Sequence, residues 1–211
     1  MSPSDLWRKQ LALESKEFTA RGTLVEVPGP DPDELATCYL ATYPGGSAEL
    51  VFADDAPESF ITQVRGIDID RLHARPAEVA RDLDASLMHC CTYVFDEPIA
   101  IPSPATIRQT GPESFSAVVD GKPVAEAVSS RSDAAAAELW VHTDPEHRRR
   151  GYAAQVAAAW AAAVTSTGKT AFYSHLAGND ASRSLAAHLG VRPLFELVGL
   201  SIPGSMDRTD R

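Results

Sequence analysis

Cysteine is scarce in this chain. Cys38 and the adjacent pair Cys90-Cys91 are the only three in 211 residues, too few and too poorly spaced for a disulfide framework or a thiolate metal site. Cys90-Cys91 reads as two small core residues more readily than as a redox couple. The six histidines are scattered, with no His-x-x-x-His spacing, so no metal is expected. Basic residues are also in deficit: 19 Lys and Arg against 29 Asp and Glu give a net charge of −10. That balance argues against nucleic acid as the main partner, because phosphate backbones are bound through basic surface, and it leaves room for a cationic amine. No apolar run approaches the roughly 20 residues needed to cross a bilayer, and the N-terminus lacks the apolar stretch of a signal peptide. The expectation is a cytoplasmic protein with no membrane partner.

What remains is enough to build a core. With 44% hydrophobic residues over 211 positions, the chain is expected to form one domain or one and a half. Residues 2–20 open on a Ser-Pro-Ser-Asp cap and place Leu6, Trp7, Leu11 and Leu13 at helical spacing, predicting an amphipathic helix. Residues 22–112 are less regular: a strand at 23–27, a Pro/Asp-rich turn at 28–32, and helices at 33–41 and 76–87. Residues 96–112 hold Pro98, Pro102, Pro104 and Pro112 and read as a linker or extended edge. Beyond them the pattern sharpens. Asp120-Gly121-Lys122 between two β-like runs, 115–119 and 123–129, is a hairpin signal. A turn at 130–133 and a third strand, 136–143, follow.

That third strand passes through a Pro-containing turn into an uninterrupted Ala-rich helix at 151–167, and Arg148-Arg149-Arg150-Gly151-Tyr152-Ala153 stands at the junction. The first turn of a helix has unpaired N–H groups and the positive end of the macrodipole, so a pyrophosphate can be held there mainly by main chain. Gly151 admits φ angles that other residues resist and allows close approach, Ala153 is nearly as small, and the arginines add charge.

Pro145-x-x-Arg148-x-x-Gly151-x-Ala153 resembles the acyl-coenzyme A pyrophosphate loop of the GNAT superfamily of N-acyltransferases. Asn179-Asp180-Ala181-Ser182-Arg183-Ser184-Leu185-Ala186-Ala187-His188-Leu189-Gly190-Val191 is similar to that family's second signature, in which an Asn ends the fifth strand and a short helix closes on Leu-Gly. Between them, residues 169–175 read as a strand, and 194–202 as a last one. The wording Thr-x-Pro-x-His-Arg-x-x-Gly-Tyr-Ala is also similar to a subgroup of bacterial members with N-terminal extensions. The resemblance covers residues 114–202. It implies an α/β (α+β) fold with a mixed, mostly antiparallel central sheet flanked by helices. An N-terminal helical or mixed region, 1–112, would contribute to the acceptor pocket, ahead of a core at 113–203. It implies transfer of an acetyl group from acetyl-CoA to a primary amine, with a small molecule as the expected acceptor, and a homodimer is compatible with it.

The resemblance also implies site residues. The cofactor-binding set is Arg148, Arg149, Arg150, Gly151, Tyr152, Ala153 and Ala154 at the pyrophosphate, the main chain of Val141 and Thr143 along the pantetheine arm, and Asn179 with Ser182 opposite. Glu138 would deprotonate the amine through water; alternation puts it on one strand face with Trp140 and His142, and His142 is a second candidate base. Many members carry a Tyr seven residues after the Asn, where this chain has Ala186, so the usual phenol that protonates the thiolate is missing. Ser182 could hydrogen-bond coenzyme A or the sulfur, or serve only as a helix cap. Tyr173 and His175 alternate onto one face of the strand expected to splay from the Glu138 strand around the thioester. Positioning alone can contribute roughly 7–11 kcal/mol and one acid or base about 10²–10⁴-fold, so an incomplete set is compatible with activity. The missing Tyr also motivates an alternative: a catalytically inactive CoA-binding regulatory or interaction module.

Overall fold

The computed structural model describes residues 1–27, 35–97, 99, 101 and 105–203. Its elements are mixed, with mostly antiparallel strands and helices packed on them, as expected. The chain divides into two compact units, Met1–Cys91 together with the segment from Leu194, and Thr92–Pro193. No helix among the described residues is long and apolar enough to cross a membrane.

The first unit opens with α1 (Pro3–Leu13). Ser2 and Asp5 cap it reciprocally, and Leu6, Trp7, Leu11 and Leu13 are buried. The helix expected over residues 2–20 stops here. Ser15 adopts a left-handed φ of 58°, and β1 (Lys16–Phe18) then pairs antiparallel with β2 (Leu24–Glu26). Next come β3 (Cys38–Thr42), β4 (Ala48–Phe52), α2 (Glu58–Arg65), α3 (Ile69–Ala74), α4 (Pro76–Asp82) and the start of β5 (Ser86–Phe95). The helix expected at 33–41 is overturned over its described part, because β3 lies between β4 and the C-terminal strand. Its first four residues are all buried. A strand covered on both faces shows no alternation, so periodicity is no guide to it. The helix expected at 76–87 ends at Asp82, with Asp84 left-handed at 52°. The turn expected at 28–32 lies outside the described residues. Phe60, Val64, Leu72 and Val79 pack with Cys38, Leu40 and Leu200 into this unit's core.

The second unit holds the rest of β5, then β6 (Thr106–Gly111), β7 (Ser114–Val119), β8 (Lys122–Ser132), β9 (Ala136–Thr143), α5 (Tyr152–Ser166), β10 (Thr170–Leu176) and α6 (Asp180–Leu189), ending where β11 (Arg192–Ser201) begins. Its strand order is β5-β10-β9-β8-β7-β6. Residues 96–112 supply the extended edge as β6, antiparallel to β7; Pro98, Pro102 and Pro104 lie outside the described residues. Asp120 and Gly121, with φ of 50° and 79°, form the tight connection of β7 to β8, both left-handed as the twist-matched hairpin turn demands. The turn expected at 130–133 falls later, after β8 has run on to Ser132. Asp133 Oδ1 accepts the N–H groups of Ala135 and Ala136 there. Val156, Trp160 and Val164 of α5 are buried among Ala127, Ala137, Leu139, Ala171 and Tyr173, so α5 covers the odd-numbered face of β9 and β10.

A polar network ties four segments of this unit together. Glu113 accepts Lys169 Nζ at 2.7 Å and Ser129 Oγ at 2.5 Å; Lys169 also reaches Ser132, and Trp160 Nε1 donates to Ser129. Burial raises the Glu113 carboxyl's pKa, but the hydrogen bonds from Lys169 and Ser129 outweigh it and hold it below the usual value. A depressed folded pKa stabilises above the unfolded value near 4 and is lost as pH falls through the folded one. Glu113→Gln is therefore expected to lower the urea midpoint at pH 7, with the gap to wild type closing as the pH falls below about 4. An equal gap at pH 7 and pH 3 would show that the charge contributes nothing.

Candidate functional site

The second unit contains an interrupted ladder. β10 runs parallel to β9, with Thr170 opposite Ala136, Ala171 opposite Ala137 and Phe172 opposite Glu138, and the pairing ends there. β9 continues to Thr143 because β8 holds it on its other side, with Val141 opposite Ala127 and Thr143 opposite Ala125. β10 continues to Leu176 beside β5. The two strands thus part beyond Glu138 and Phe172.

Main-chain direction in the gap follows from one bond. Asp144 N donates to Val124 O at 3.0 Å, which makes that pair, and then alternate pairs back along β9, the ones bonded to β8. Trp140 and His142 bond towards β8. Val141 and Thr143 aim their N–H and C=O groups at the side from which β10 has departed. Thr143 O accepts Arg148 Nε at 3.2 Å.

Beyond β9, a single 3₁₀ turn (Pro145–His147) leads into the basic loop. Arg149 (φ 61°) and Gly151 (φ 83°) are both left-handed, and such residues on either side of Arg150 curl successive N–H groups into a concavity. Gly151 is the N-cap of α5. The cap has no side-chain hydrogen bond, and the first turn has no acidic residue, so the leading N–H groups, including those of Ala153 and Ala154, remain for an anion. A Cβ at Gly151 would have its nearest contact 3.7 Å away; the constraint on this glycine is its φ. Arg148, Arg149 and Arg150 are exposed, whereas the Tyr152 ring is buried in the core, which leaves Tyr152 only its main chain for the loop.

Across the gap, Asn179 caps α6, its Oδ1 accepting Ser182 N at 3.1 Å. The capping role weighed for Ser182 therefore belongs to Asn179. Ser182 is the third residue of α6, within its first turn, with its hydroxyl on the Tyr173 side. Tyr173 and His175 share a face, as alternation required, with ring centroids 6.0 Å apart. His175 also stacks on Tyr93 of β5 at 5.5 Å. Tyr93 went unrecognised in the sequence, where only the alternation of the run ending in Thr92-Tyr93-Val94-Phe95 pointed to it. Burial pushes the Tyr173 phenol above its ordinary pKa, against an opposing pull from Ser182. The Ser182 hydroxyl is close enough to Tyr173 Oη to exert that pull, yet the two do not reach the geometry of a hydrogen bond. Tyr173 Oη, His175 Nε2, Thr143 Oγ1 and His147 Nδ1 are thus all buried without a formed hydrogen bond among the described residues. Buried polar atoms left unpaired cost about 1–3 kcal/mol each, and these four stand on elements that border the gap or the basic loop.

Glu138 is placed differently. It lies at the last paired position and on the face shared with Phe172, opposite the Tyr173 face. It is 5% exposed and ion-paired with Arg131 Nη1 at 2.9 Å. A bulge in β8 after Ser129 brings Arg131 opposite Glu138. On the same β9 face, Trp140 is 47% exposed and stacks on His142, whose Nε2 is 3.8 Å from Asp144.

Residues 123–198 match the family model described as FR47-like protein. No curated protein sequence matches the chain. Among solved structures, an acetyltransferase of the GNAT family from Colwellia psychrerythraea aligns over 96% of this chain and 97% of its own, with a TM-score of 0.50 at 14% identity. This likeness establishes the shared fold. A GCN5-related N-acetyltransferase-like protein from Streptococcus suis aligns over 78% of this chain and 84% of its own, at a TM-score of 0.44 and 14% identity. A Novosphingobium aromaticivorans protein provisionally designated a GNAT-family acetyltransferase aligns over 55% of this chain at 0.46 and 21% identity, and the match spans 64% of that protein.

Ala186, where the resemblance led to an expectation of a missing phenol, is 2% exposed and packed in the core with α5. A phenol there has no free volume to enter. Ala186→Tyr is expected to destabilise the fold by about 1–3 kcal/mol, read as a lowered urea midpoint; an unchanged midpoint would mean that the α6 face has room for the ring.

Proposed function

We propose that this chain, which matches the FR47-like family model over residues 123–198 and shares its fold with a GNAT-family acetyltransferase, is an N-acetyltransferase of that superfamily that moves an acetyl group from acetyl-CoA to the primary amine of a small molecule. The observation that carries this reading is the early end of the β9–β10 ladder, which leaves the Val141 and Thr143 main chain facing a gap that leads to the uncapped, basic start of α5.

The residues fit acetyl-CoA in three respects. The concave loop 149–151 and the first-turn N–H groups of α5 suit a pyrophosphate, with Arg148, Arg149 and Arg150 adding charge. Val141 and Thr143 offer strand-type main-chain donors and acceptors to an amide-bearing arm, with Asn179 and Ser182 across the gap. Tyr173 and His175 offer polar atoms in a buried setting, where hydrogen bonds to developing charge are strongest. When bound, acetyl-CoA supplies a thioester carbonyl that a neutral amine can attack. The chain's contribution is then to hold that carbonyl, exclude water and provide for one proton.

A second reading, binding without turnover, is favoured by Ala186 in the core and by the Glu138–Arg131 ion pair. Thiol release from acetyl-CoA, followed across aliphatic, aromatic and polyamine primary amines, separates the two. Amine-dependent release is expected; coenzyme A binding with no release from any amine favours the second reading.

Gly151→Val is expected to weaken coenzyme A binding at least tenfold by calorimetry, because valine resists a φ of +83°. Arg149→Ala should cost less, since main chain supplies most donors. Equal affinity of wild type and Gly151→Val would remove the pyrophosphate from this loop.

A further inference from the structure

His175 Nδ1 lies 2.9 Å from the main-chain oxygen of Leu176. A carbonyl can only accept, so Nδ1 must carry the proton. In the neutral ring Nε2 is then a bare lone pair. That lone pair is buried, with no partner among the described residues, in a side chain 7% exposed. Tyr93 stacks on one face of the ring and Tyr173 is tilted beside it, so the imidazole has little freedom to turn. The neighbouring Tyr173 hydroxyl is also buried without a bonded acceptor. One fixed acceptor and one fixed donor thus stand side by side on the stretch of β10 that has left the ladder.

Resting on the acetyltransferase reading above, we infer that His175 Nε2 takes the proton of the attacking amine and that the Tyr173 hydroxyl donates a hydrogen bond to the thioester as its charge develops. The amine nitrogen forms the C–N bond while the C–S bond breaks and its electron pair leaves with sulfur. The proton lost by the amine passes to Nε2 and from there to the thiolate, so the imidazole returns to its starting state and no other reactant is needed. Burial raises the phenol's pKa, which keeps Tyr173 protonated and in the donor role. Glu138 is held by Arg131 on the opposite sheet face and is not needed for this proton.

Imidazole nitrogen NMR on the wild-type protein tests the arrangement without any acceptor. The expected spectrum has His175 neutral, Nδ1 protonated and Nε2 bare, with the Nε2 resonance moving on titration with coenzyme A. Protonated Nε2, or an unmoved resonance while calorimetry registers coenzyme A binding, overturns the assignment. Absence of coenzyme A binding would defeat the underlying acetyltransferase reading instead. Kinetics supply the second arm, with any amine that supports thiol release. His175→Gln should lower kcat by about 10²-fold and Tyr173→Phe by about tenfold, both with coenzyme A affinity within twofold of wild type. Undiminished turnover in His175→Gln, or a loss of affinity that matches the loss of rate, would make the cluster a packing feature.

Discussion

Two neighbouring strands that stop pairing while both remain extended create the central constraint of this protein. A strand ordinarily satisfies its main chain on both sides, and an unpaired N–H or C=O removed from water is costly. β9 and β10 share only three register pairs, yet β9 runs five residues and β10 four beyond the last of them. Each is held on its outer side, β9 by β8 and β10 by β5, so the divergence persists without the strands fraying. The inner groups of Val141 and the N–H of Thr143 face the gap, while Thr143 O accepts Arg148 Nε; under the proposed function they would meet the extended, amide-bearing pantetheine arm. The left-handed residues 149 and 151 and the uncapped α5 then continue the same demand for an acceptor at the far end of the gap.

The buried orphans follow from the same opening. Thr143, Tyr173 and His175 are odd-numbered on β9 and β10 and so share the face that α5 covers; Tyr173 is packed in the core there, and the polar atoms of all three are buried. Were the ladder complete, there would be no reason to bury three polar groups unmatched in one place. Fold and site therefore share one cause. The apolar packing of α5 and α6 fixes the strands firmly enough for the gap to keep its shape.

Much of the second unit was legible in the sequence because its signals are local. Asp120-Gly121 can hardly be anything but a hairpin turn, Ala136–Thr143 runs extended into the Pro-containing turn before the basic loop, and Asn179 and Gly190 bracket α6 with a cap and a left-handed stop. What could not be read depends on long-range pairing. β3 is buried on both faces and loses its alternation. Arg131 reaches Glu138 only through a bulge one residue after Ser129, and the expected turn at 130–133 hid the strand that carries it. Tyr93 meets His175 across 82 residues of sequence, with no local spacing to announce it. The candidate base Glu138 illustrates the limit. Its strand and face were predictable, whereas its ion pair and its place at the last rung needed the fold.

Hydrogen exchange at single-amide resolution addresses the central claim most directly, because the claim concerns main-chain groups. Addition of coenzyme A is expected to slow exchange at the amides of Val141 and Thr143 and at residues 149–154, while the β6–β7 hairpin on the far edge stays unchanged. Slowing confined to residues 149–154, with Val141 and Thr143 unaffected at saturating ligand, would contradict a gap built to receive the pantetheine arm.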